Sequence, residues 1–146
     1  MKILVIDGQG GRIGKMLVEK IRQDFPSLGL IALGTNSIAT STMLRAGAEE
    51  GATGENPVVH NAKSADIIIG PIGIVLANSL LGEITPAMAT AVAQSSAQKI
   101  LIPMNRCKST IAGVQEAPLS EYIRIAVEQL GRLVSENPSD SAPKAR

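Results

Sequence analysis

The chain contains 146 residues, of which 45% are hydrophobic and 18% are charged, and its formal net charge is +1. A chain of this size and composition is expected to form one soluble domain that needs neither disulfides nor a structural metal. Cys107 is the only cysteine and His60 the only histidine, which excludes an intramolecular disulfide and a site built from several thiolates or imidazoles. Phe25 and Tyr122 are the only aromatic side chains, so we expect no nucleic-acid partner.

The apolar stretches also argue against a membrane. The run that follows Lys2 is too short for a signal peptide. The uncharged stretch 67–82 is shorter than the roughly 20 residues that a bilayer requires, and it contains Pro71. We therefore expect a cytoplasmic protein without a membrane contact.

Short, branched apolar runs indicate strands, several of them buried on both faces. The clearest runs are residues 2–6, 30–33, 67–69 and 99–102. The irregular segment 47–63 contains a possible short strand at Val58 and Val59, and residues 111–114 form a possible last strand.

Helical patterns lie between these runs. They cover residues 11–25, a segment that begins at Asn36 or Ser37, residues 74–81, residues 85–97 and residues 119–134. Pro26 ends the first helix, and Pro118 opens the last. In the second helix the apolar side chains expected to face inward are Met43, Leu44 and Ala48.

Strands that alternate with helices predict an α/β fold in which a mainly parallel, doubly wound sheet is covered by helices on both faces, in three layers. Residues 1–134 are expected to form a single domain and residues 135–146 a flexible polar tail. In such sheets ligands bind beyond the carboxyl ends of the strands, where the strand order reverses. That rule selects four loops, at residues 7–14, 34–37, 70–73 and 103–110.

The first of these loops is rich in glycine. Its spacing fails the Walker A pattern and the strict G-x-G-x-x-G pattern, but it fits G-x-x-G-x-x-G through Gly8, Gly11 and Gly14. Glycine tolerates positive φ and lets a phosphate approach the amides at a helix N-terminus. We therefore predict a cofactor-binding loop made of Gly8, Gln9, Gly10, Gly11, Arg12, Ile13 and Gly14.

With Arg12 and Ile13 inside it, this loop resembles the Gly-x-x-Gly-Arg-Met-Gly turn of dihydrodipicolinate reductases. The resemblance covers only the first strand, turn and helix. It implies that the loop holds the pyrophosphate of a reduced nicotinamide cofactor, with Arg12 on the phosphate side. Those reductases have a second, substrate-binding domain for which 146 residues leave no room, and no catalytic residue is carried over.

Further characteristic segments are spread along the chain, at Ile6–Gly11, Gly34–Thr40, Gly51–Asn56, Ile69–Ile74, Gly82–Pro86 and Lys99–Pro103. Through these segments, nearly the whole chain resembles a small bacterial family of uncharacterised Rossmann-like proteins. The resemblance implies the fold and supplies no activity.

The choice of nicotinamide cofactor depends on the second loop. A carboxylate about 20 residues past the glycines usually binds the ribose hydroxyls of NAD, and none lies between Asp24 and Glu49. Thr35, Asn36 and Ser37 stand there instead and, with Arg45, could accept a 2′-phosphate, which favours NADP over NAD. Equally, these three residues could simply cap the helix.

Two further features at strand ends bear on the predicted cofactor site. Gly70, Pro71, Ile72 and Gly73 end a strand where backbone comes close to a cofactor. Asp7 would repel a pyrophosphate unless it turns aside or accepts loop amides, so we expect it to brace the loop.

Further polar groups are predicted at the rim, the edge of the sheet where the carboxyl ends of the strands lie. Cys107 lies with Asn105, Arg106 and Lys108 beyond a strand end, but a cysteine without a paired histidine is usually not a nucleophile, and His60 is on another loop. Further rim groups are Glu55, Asn56, Glu83 and Thr85.

Two main hypotheses follow from the sequence, beside a third in which the chain is a scaffold whose glycine loop binds nothing. One is an NADP- or NAD-binding module that acts as a small reductase only when a second copy or a partner protein completes the pocket, with the last helix as a candidate contact. The other is a non-catalytic sensor or regulatory domain that binds an adenine nucleotide or a phosphorylated metabolite. The absence of an acid/base pair favours the second.

Overall fold

The computed structural model describes residues 1–104 and 108–137. Five parallel strands form one sheet, in the spatial order β3-β2-β1-β4-β5. In chain order they are β1 (Ile3–Asp7), β2 (Leu30–Gly34), β3 (Glu50–Thr53), β4 (Ile67–Pro71) and β5 (Gln98–Ile102). The chain runs from β1 to β2 and β3 on one side and then crosses back to β4 and β5 on the other, so the strand order reverses between β1 and β4.

The described residues form five α-helices and one 3₁₀ turn. The helices are α1 (Arg12–Asp24), α2 (Ser37–Ala46), α3 (Glu55–Ala62), α4 (Pro86–Gln94) and α5 (Leu119–Glu136), and the turn is Ile72–Val75. Buried side chains of α1, α2 and α5 join one core cluster, and those of α3 and α4 join the other. The predicted three-layer, doubly wound α/β fold is therefore confirmed. Within residues 1–104 and 108–137, no helix is long and apolar enough to cross a membrane.

The first strand shows why its sequence pattern was unambiguous. Every residue of β1 is buried, with Ile3 and Val5 in the cluster beneath α1 and Leu4 and Ile6 in the cluster beneath α4. A central parallel strand has no solvent face, and for this reason its sequence is a continuous apolar run.

The segment 47–63 differs from the prediction. The short strand expected at Val58 and Val59 is wrong, because both residues lie in α3, where Val58 and Ala62 are buried one turn apart. The actual strand is β3, which pairs only with β2 at the edge of the sheet and whose residues are almost all exposed. An edge strand without buried side chains leaves no apolar signal in the sequence.

Two other predicted elements are also wrong. Residues 74–81 do not form a helix, because the 3₁₀ turn ends at Val75 and a series of tight turns follows. Residues 111–114 form a turn, in which Val114 N donates to Ile111 O over 3.3 Å, and no strand lies among the described residues after Ile102.

The second helix is capped by Asn36, whose Oδ1 atom accepts a hydrogen bond from Ala39 N over 2.9 Å. Of the three residues expected to face inward, Met43 is buried in the helix, Ala48 is buried beyond its end at Ala46, and Leu44 is 38% exposed. Leu44 follows Met43 directly in the helix, and the 100° rotation between neighbours turns its side chain toward Gly51 in the edge strand β3.

The last helix is longer than predicted by two residues and ends at Glu136. Its apolar stripe packs on the sheet through Ile123, Ala126, Val127 and Leu130. Its outer face carries the ion pairs of Arg124 with Glu121 and Glu128. The stripe is therefore explained by packing within the chain, and the predicted tail from residue 138 onward lies outside the described residues.

Candidate functional site

The loop between β1 and α1 lies at the point where the strand order reverses. Gly11 occupies the N-cap of α1 with φ of 73°, and a Cβ atom there would stand 2.9 Å from Ala39 Cα. Gly11 N donates to Gly8 O over 2.9 Å and closes a tight turn. This glycine is required both by its backbone conformation and by the contact between the loop and α2.

Two neighbouring glycines differ in their surroundings. A Cβ atom at Gly14 would overlap the side chain of Met43, so Gly14 permits the close packing of α1 on α2. A Cβ atom at Gly10 would have no neighbour within 4 Å. Gly10 is therefore the glycine whose backbone faces open space beside the loop.

Asp7 ends β1 beneath this loop and is only 4% exposed. Its Oδ1 atom accepts a hydrogen bond from Gly8 N over 2.8 Å, and its Oδ2 atom accepts one from Gly14 N over 2.7 Å. Burial raises the pKa of Asp7 above its ordinary value of 3.8, although the loop amides act in the opposite direction. Asp7 thus braces the loop from below by accepting its amides.

A second carboxylate, Glu83, contacts the same loop from above. Its Oε1 atom accepts hydrogen bonds from Gln9 N over 3.0 Å, from the Thr35 hydroxyl over 2.6 Å and from Asn36 Nδ2 over 2.7 Å. Its Oε2 atom accepts a hydrogen bond from the Gln9 side chain. Glu83 therefore links the loop after β1 to the loop after β2.

These contacts set the charge of Glu83. Desolvation acts to raise its pKa, but the hydrogen bonds from Thr35, Gln9 and Asn36 together lower it below its ordinary value of 4.5. Glu83 is consequently ionised at neutral pH, and a negative charge stands where the loop after β2 begins.

Glu83 reaches this position because residues 76–83, here called the strap, cross over the end of β1. The strap is held in turns in which Asn78 N donates to Ile84 O over 2.7 Å and Ser79 Oγ donates to Gly73 O over 2.5 Å. Leu80, Leu81 and Gly82 have φ of 54°, 57° and 88° in succession. Left-handed conformations at non-glycine residues cost about 1–2 kcal/mol each, so the contacts of the strap must offset this strain.

On the other side of the loop lies an open cleft of about 670 Å³. The exposed part of the loop forms one wall, and the ends of β4 and β5 together with the start of α5 form the others. The strap contributes Leu80 and Leu81, and Leu81 is 97% exposed at the rim. The lining residues outside the loop and the strap are Pro71, Pro103, Met104, Ala117, Leu119 and Tyr122.

The structure thus divides the residues predicted for the site. Gly8, Gln9, Gly10, Gly11, Arg12, Ile13 and Pro71 line the cleft. Thr35 and Asn36 lie on the far side of the strap, bonded to Glu83, and Ser37 is the first residue of α2. Arg45 lies in the last turn of α2, eight residues from Ser37 and so about 12 Å along the helix. The expected proximity of Arg45 to these side chains is therefore wrong.

The two glycines of the loop at residues 70–73 make contacts within the fold and do not face the cleft. A Cβ atom at Gly70 would overlap the carbonyl oxygen of Ile6 on the neighbouring strand β1. Gly73 is buried and accepts the hydroxyl of Ser79. Neither these glycines nor Ile72 are among the residues that line the cleft.

Other candidate groups lie apart from the cleft. Thr85 caps α4 by accepting Met88 N over 3.2 Å and donates to Glu55 over 2.5 Å. Asn56 and His60 are exposed on α3. Asn105, Arg106 and Cys107 lie outside the described residues.

Sequence reasoning missed the apolar wall of the cleft. Leu119 and Tyr122 belong to the helical stripe of α5 and gave no sign of facing a cleft. Glu83 was visible only as a rim carboxylate, since its partners Gln9 and Thr35 are 74 and 48 residues away in the chain.

The described lining of the cleft offers groups that can bind a ligand. Among the described residues that line it, the charged side chains are Arg12 and the buried Asp7. They do not form a proton-transfer pair, because Asp7 is committed to the loop amides. Open glycine backbone at a helix N-terminus, one cation and an apolar wall suit a ligand with an anionic group and an uncharged body.

Fold and site together define a doubly wound, parallel α/β protein with a cleft at its switch point. Residues 2–135 match the family described as a domain of unknown function, DUF3842, and the chain belongs to that family. Its resemblance to an uncharacterised Rossmann-like family is thereby confirmed.

A comparison with curated proteins gives no match. A solved structure with some similarity is a dodecameric FMN-dependent UbiX-like decarboxylase from Escherichia coli O157:H7. The two chains share 16% identity over 90% of this chain and 77% of that one, with a TM-score of 0.45. Similarity at this level does not bear on ligand or activity.

Proposed function

We propose that the protein is a nucleotide-binding module whose ligand lies in the cleft at the switch point. The observation that carries this proposal is that one cleft of about 670 Å³ is lined both by the glycine loop and by an apolar wall. Small-molecule sites have volumes of about 300–1,000 Å³ and combine apolar walls with a few polar groups.

The phosphate of the ligand is assigned to the exposed side of the loop. In the described part of the chain, the amides of Gly8, Gln9 and Gly14 donate to carboxylates, whereas that of Gly10 donates to no side chain or backbone acceptor. Gly10 lies beside the N-terminus of α1, where the helix dipole favours an anion, and Arg12 adds a full positive charge. The uncharged base then contacts the apolar wall that Leu119 and Tyr122 form.

The nicotinamide cofactors NADP and NAD are the first candidates from the sequence. A reductase would need a second copy of the chain or a partner protein, because a single Rossmann-like domain lacks the wall that holds a substrate against the nicotinamide. If a second copy completes the pocket, the protein is a homo-oligomer in solution, which sedimentation can measure.

The second candidate is a sensor or regulatory domain for an adenine mononucleotide or a phosphorylated metabolite. The position of Glu83 favours this candidate, since its carboxylate holds the Thr35 and Asn36 groups that a 2′-phosphate would require. A phosphate placed there would meet a like charge, which argues against the preference for NADP over NAD.

Calorimetric titration with AMP, ATP, FMN, NADH and NADPH tests the proposal. Binding of any of them with one ligand per chain supports a nucleotide module, and absence of binding by all five overturns it. Binding of nicotinamide cofactors alone favours the reductase, and binding of adenine nucleotides alone favours the sensor.

Substitution at Gly10 shows whether a bound ligand uses the loop. We expect Gly10→Glu to abolish binding, because it places a carboxylate beside the phosphate, and the neutral, isosteric Gly10→Gln to weaken it much less. Both side chains begin in open space, so the fold is retained. Gly11→Glu is unsuitable for this test, because the positive φ and the contact with Ala39 would disrupt the loop itself. An equal loss of affinity in the two Gly10 variants would contradict the assignment of the phosphate to this position.

A further inference from the structure

The two sides of the crevice differ in how much room they leave. On the side of β4 and β5 the cleft is open, whereas on the side of β2 the strap lies against the glycine loop. A dinucleotide binds across such a crevice and therefore needs both sides, because its two nucleotide units extend in opposite directions from the pyrophosphate.

Glu83 holds the strap on the β2 side through donors from two separate loops. Three of its hydrogen bonds, from Gln9 N, Thr35 and Asn36, converge on the single atom Oε1 at 3.0, 2.6 and 2.7 Å. Asn36 Nδ2 also donates to Gln9 O over 2.9 Å, so the loops are joined directly as well. The polar groups next to the end of β2 are thus already satisfied by the chain itself.

Apolar contact also fills the space between the strap and the glycine loop on the β2 side. A Cβ atom at Gly8 would stand 2.8 Å from Leu80 Cδ1 and 2.6 Å from Thr35 Oγ1, so the strap touches the loop backbone without a gap. The Gln9 side chain also donates to Leu80 O over 3.1 Å. No space for a ribose or a base remains between the strap and the loop on this side.

We propose that Glu83 and the strap restrict the site to ligands with a single nucleotide unit, by filling the half of the crevice next to β2 that a second unit would occupy. This inference rests on the proposed nucleotide-binding function and specifies its ligand class. Glu83 acts as a specificity-determining residue that need not touch the bound ligand.

The test compares the affinities for AMP and NADH, measured by calorimetry, in the wild-type protein and in Glu83→Ala. We expect the wild-type protein to bind AMP at least about tenfold more tightly than NADH. Removal of the carboxylate releases the strap and frees Thr35 and Asn36, so in Glu83→Ala the preference falls to less than about threefold, mainly through tighter NADH binding.

Glu55→Ala is the matched control, since it removes a carboxylate of the same rim that bonds only to Thr85, and it should keep the wild-type preference. Glu83→Gln is used if Glu83→Ala does not fold, because the amide keeps the shape of the side chain but lacks one acceptor oxygen. It should shift the preference in the same direction.

The outcomes separate the two proposals. Wild-type protein that binds NADH as tightly as AMP overturns the restriction by the strap but leaves the nucleotide-binding function standing. A preference for AMP that persists in both Glu83 variants also overturns the restriction. Absence of AMP and NADH binding by the wild-type protein and by the Glu83 variants overturns the restriction, and the nucleotide-binding function is overturned as well when ATP, FMN and NADPH also fail to bind.

Discussion

Asp7 and Glu83 contact the same glycine loop, but their pKa values are displaced in opposite directions. Asp7 lies below the loop, where burial outweighs the amide hydrogen bonds and raises its pKa. Glu83 lies above it, where hydrogen bonds from side chains and backbone outweigh desolvation and lower its pKa. Two carboxylates around one loop therefore make opposite contributions to the pH dependence of stability.

For Asp7 the prediction concerns the free energy of unfolding as a function of pH. Because the pKa of Asp7 is higher in the folded than in the unfolded state, its contribution is fully present below its unfolded value of about 4 and is lost as pH rises through the folded value. Asp7→Asn keeps one of the two acceptor oxygens and loses the other at every pH. We therefore expect the stability of the wild-type protein relative to Asp7→Asn to fall as pH rises, measured by urea unfolding.

For Glu83→Gln we expect the opposite pH dependence of stability from that of Asp7→Asn. Since the folded pKa of Glu83 is lowered, its contribution is present above the unfolded value and is lost as pH falls, so the stability of the wild-type protein relative to Glu83→Gln should rise with pH. The same trend for both variants would contradict the assigned environments.

At the scale of the elements, the glycines of the predicted site fall into two groups. Gly14 and Gly70 allow helices and strands to approach each other, whereas Gly10 faces open space. A sequence pattern does not distinguish these roles, because a glycine that close packing requires and a glycine with open space around it are the same residue in the sequence.

Gly70→Ala should therefore be far more damaging than Gly10→Ala. The new methyl group at residue 70 would overlap the backbone of Ile6 and force β1 and β4 apart, at a cost of about 3 kcal/mol or more. Gly10→Ala should change the free energy of unfolding by less than about 0.5 kcal/mol. Chemical denaturation measures both, and similar losses for the two variants would be incompatible with the described packing.

The elements that sequence patterns failed to predict share a physical cause. β3 is an exposed edge strand, and α3 buries only Val58 and Ala62, so neither has a full apolar face. The strap contains the apolar residues of a helix but adopts left-handed turns that distant contacts stabilise. Local propensity predicts an element only when burial follows the period of that element.

At the scale of the whole molecule, the cleft lies where three strand ends and the start of α5 meet. Its lining residues come from both halves of the chain, from Asp7 to Tyr122. A ligand in this cleft contacts groups that are adjacent only in the folded state, so binding should stabilise the fold.

Ligand-induced stabilisation can identify the role of Arg12. At a free AMP concentration of about 100 times Kd, binding should add about 2.7 kcal/mol to the free energy of unfolding. If Arg12→Gln weakens binding tenfold, the gain at the same concentration falls to about 1.4 kcal/mol. Lys15→Gln removes the same charge one turn along α1, from a residue that does not line the cleft, and should keep the full gain. Equal gains for both variants would exclude Arg12 as a ligand contact.

The sequence by itself determined four of the five strands, four of the five helices and the loop that opens α1, because buried parallel strands and amphipathic helices leave patterns of fixed period. It also marked Asp7 as a brace, since a carboxylate next to that loop has few other stable arrangements. Only the tertiary structure decided which polar groups meet there. The contact of Glu83 with Thr35 and Gln9 closes loops of 48 and 74 residues, and such pairing depends on the path of the strap, which no local pattern records.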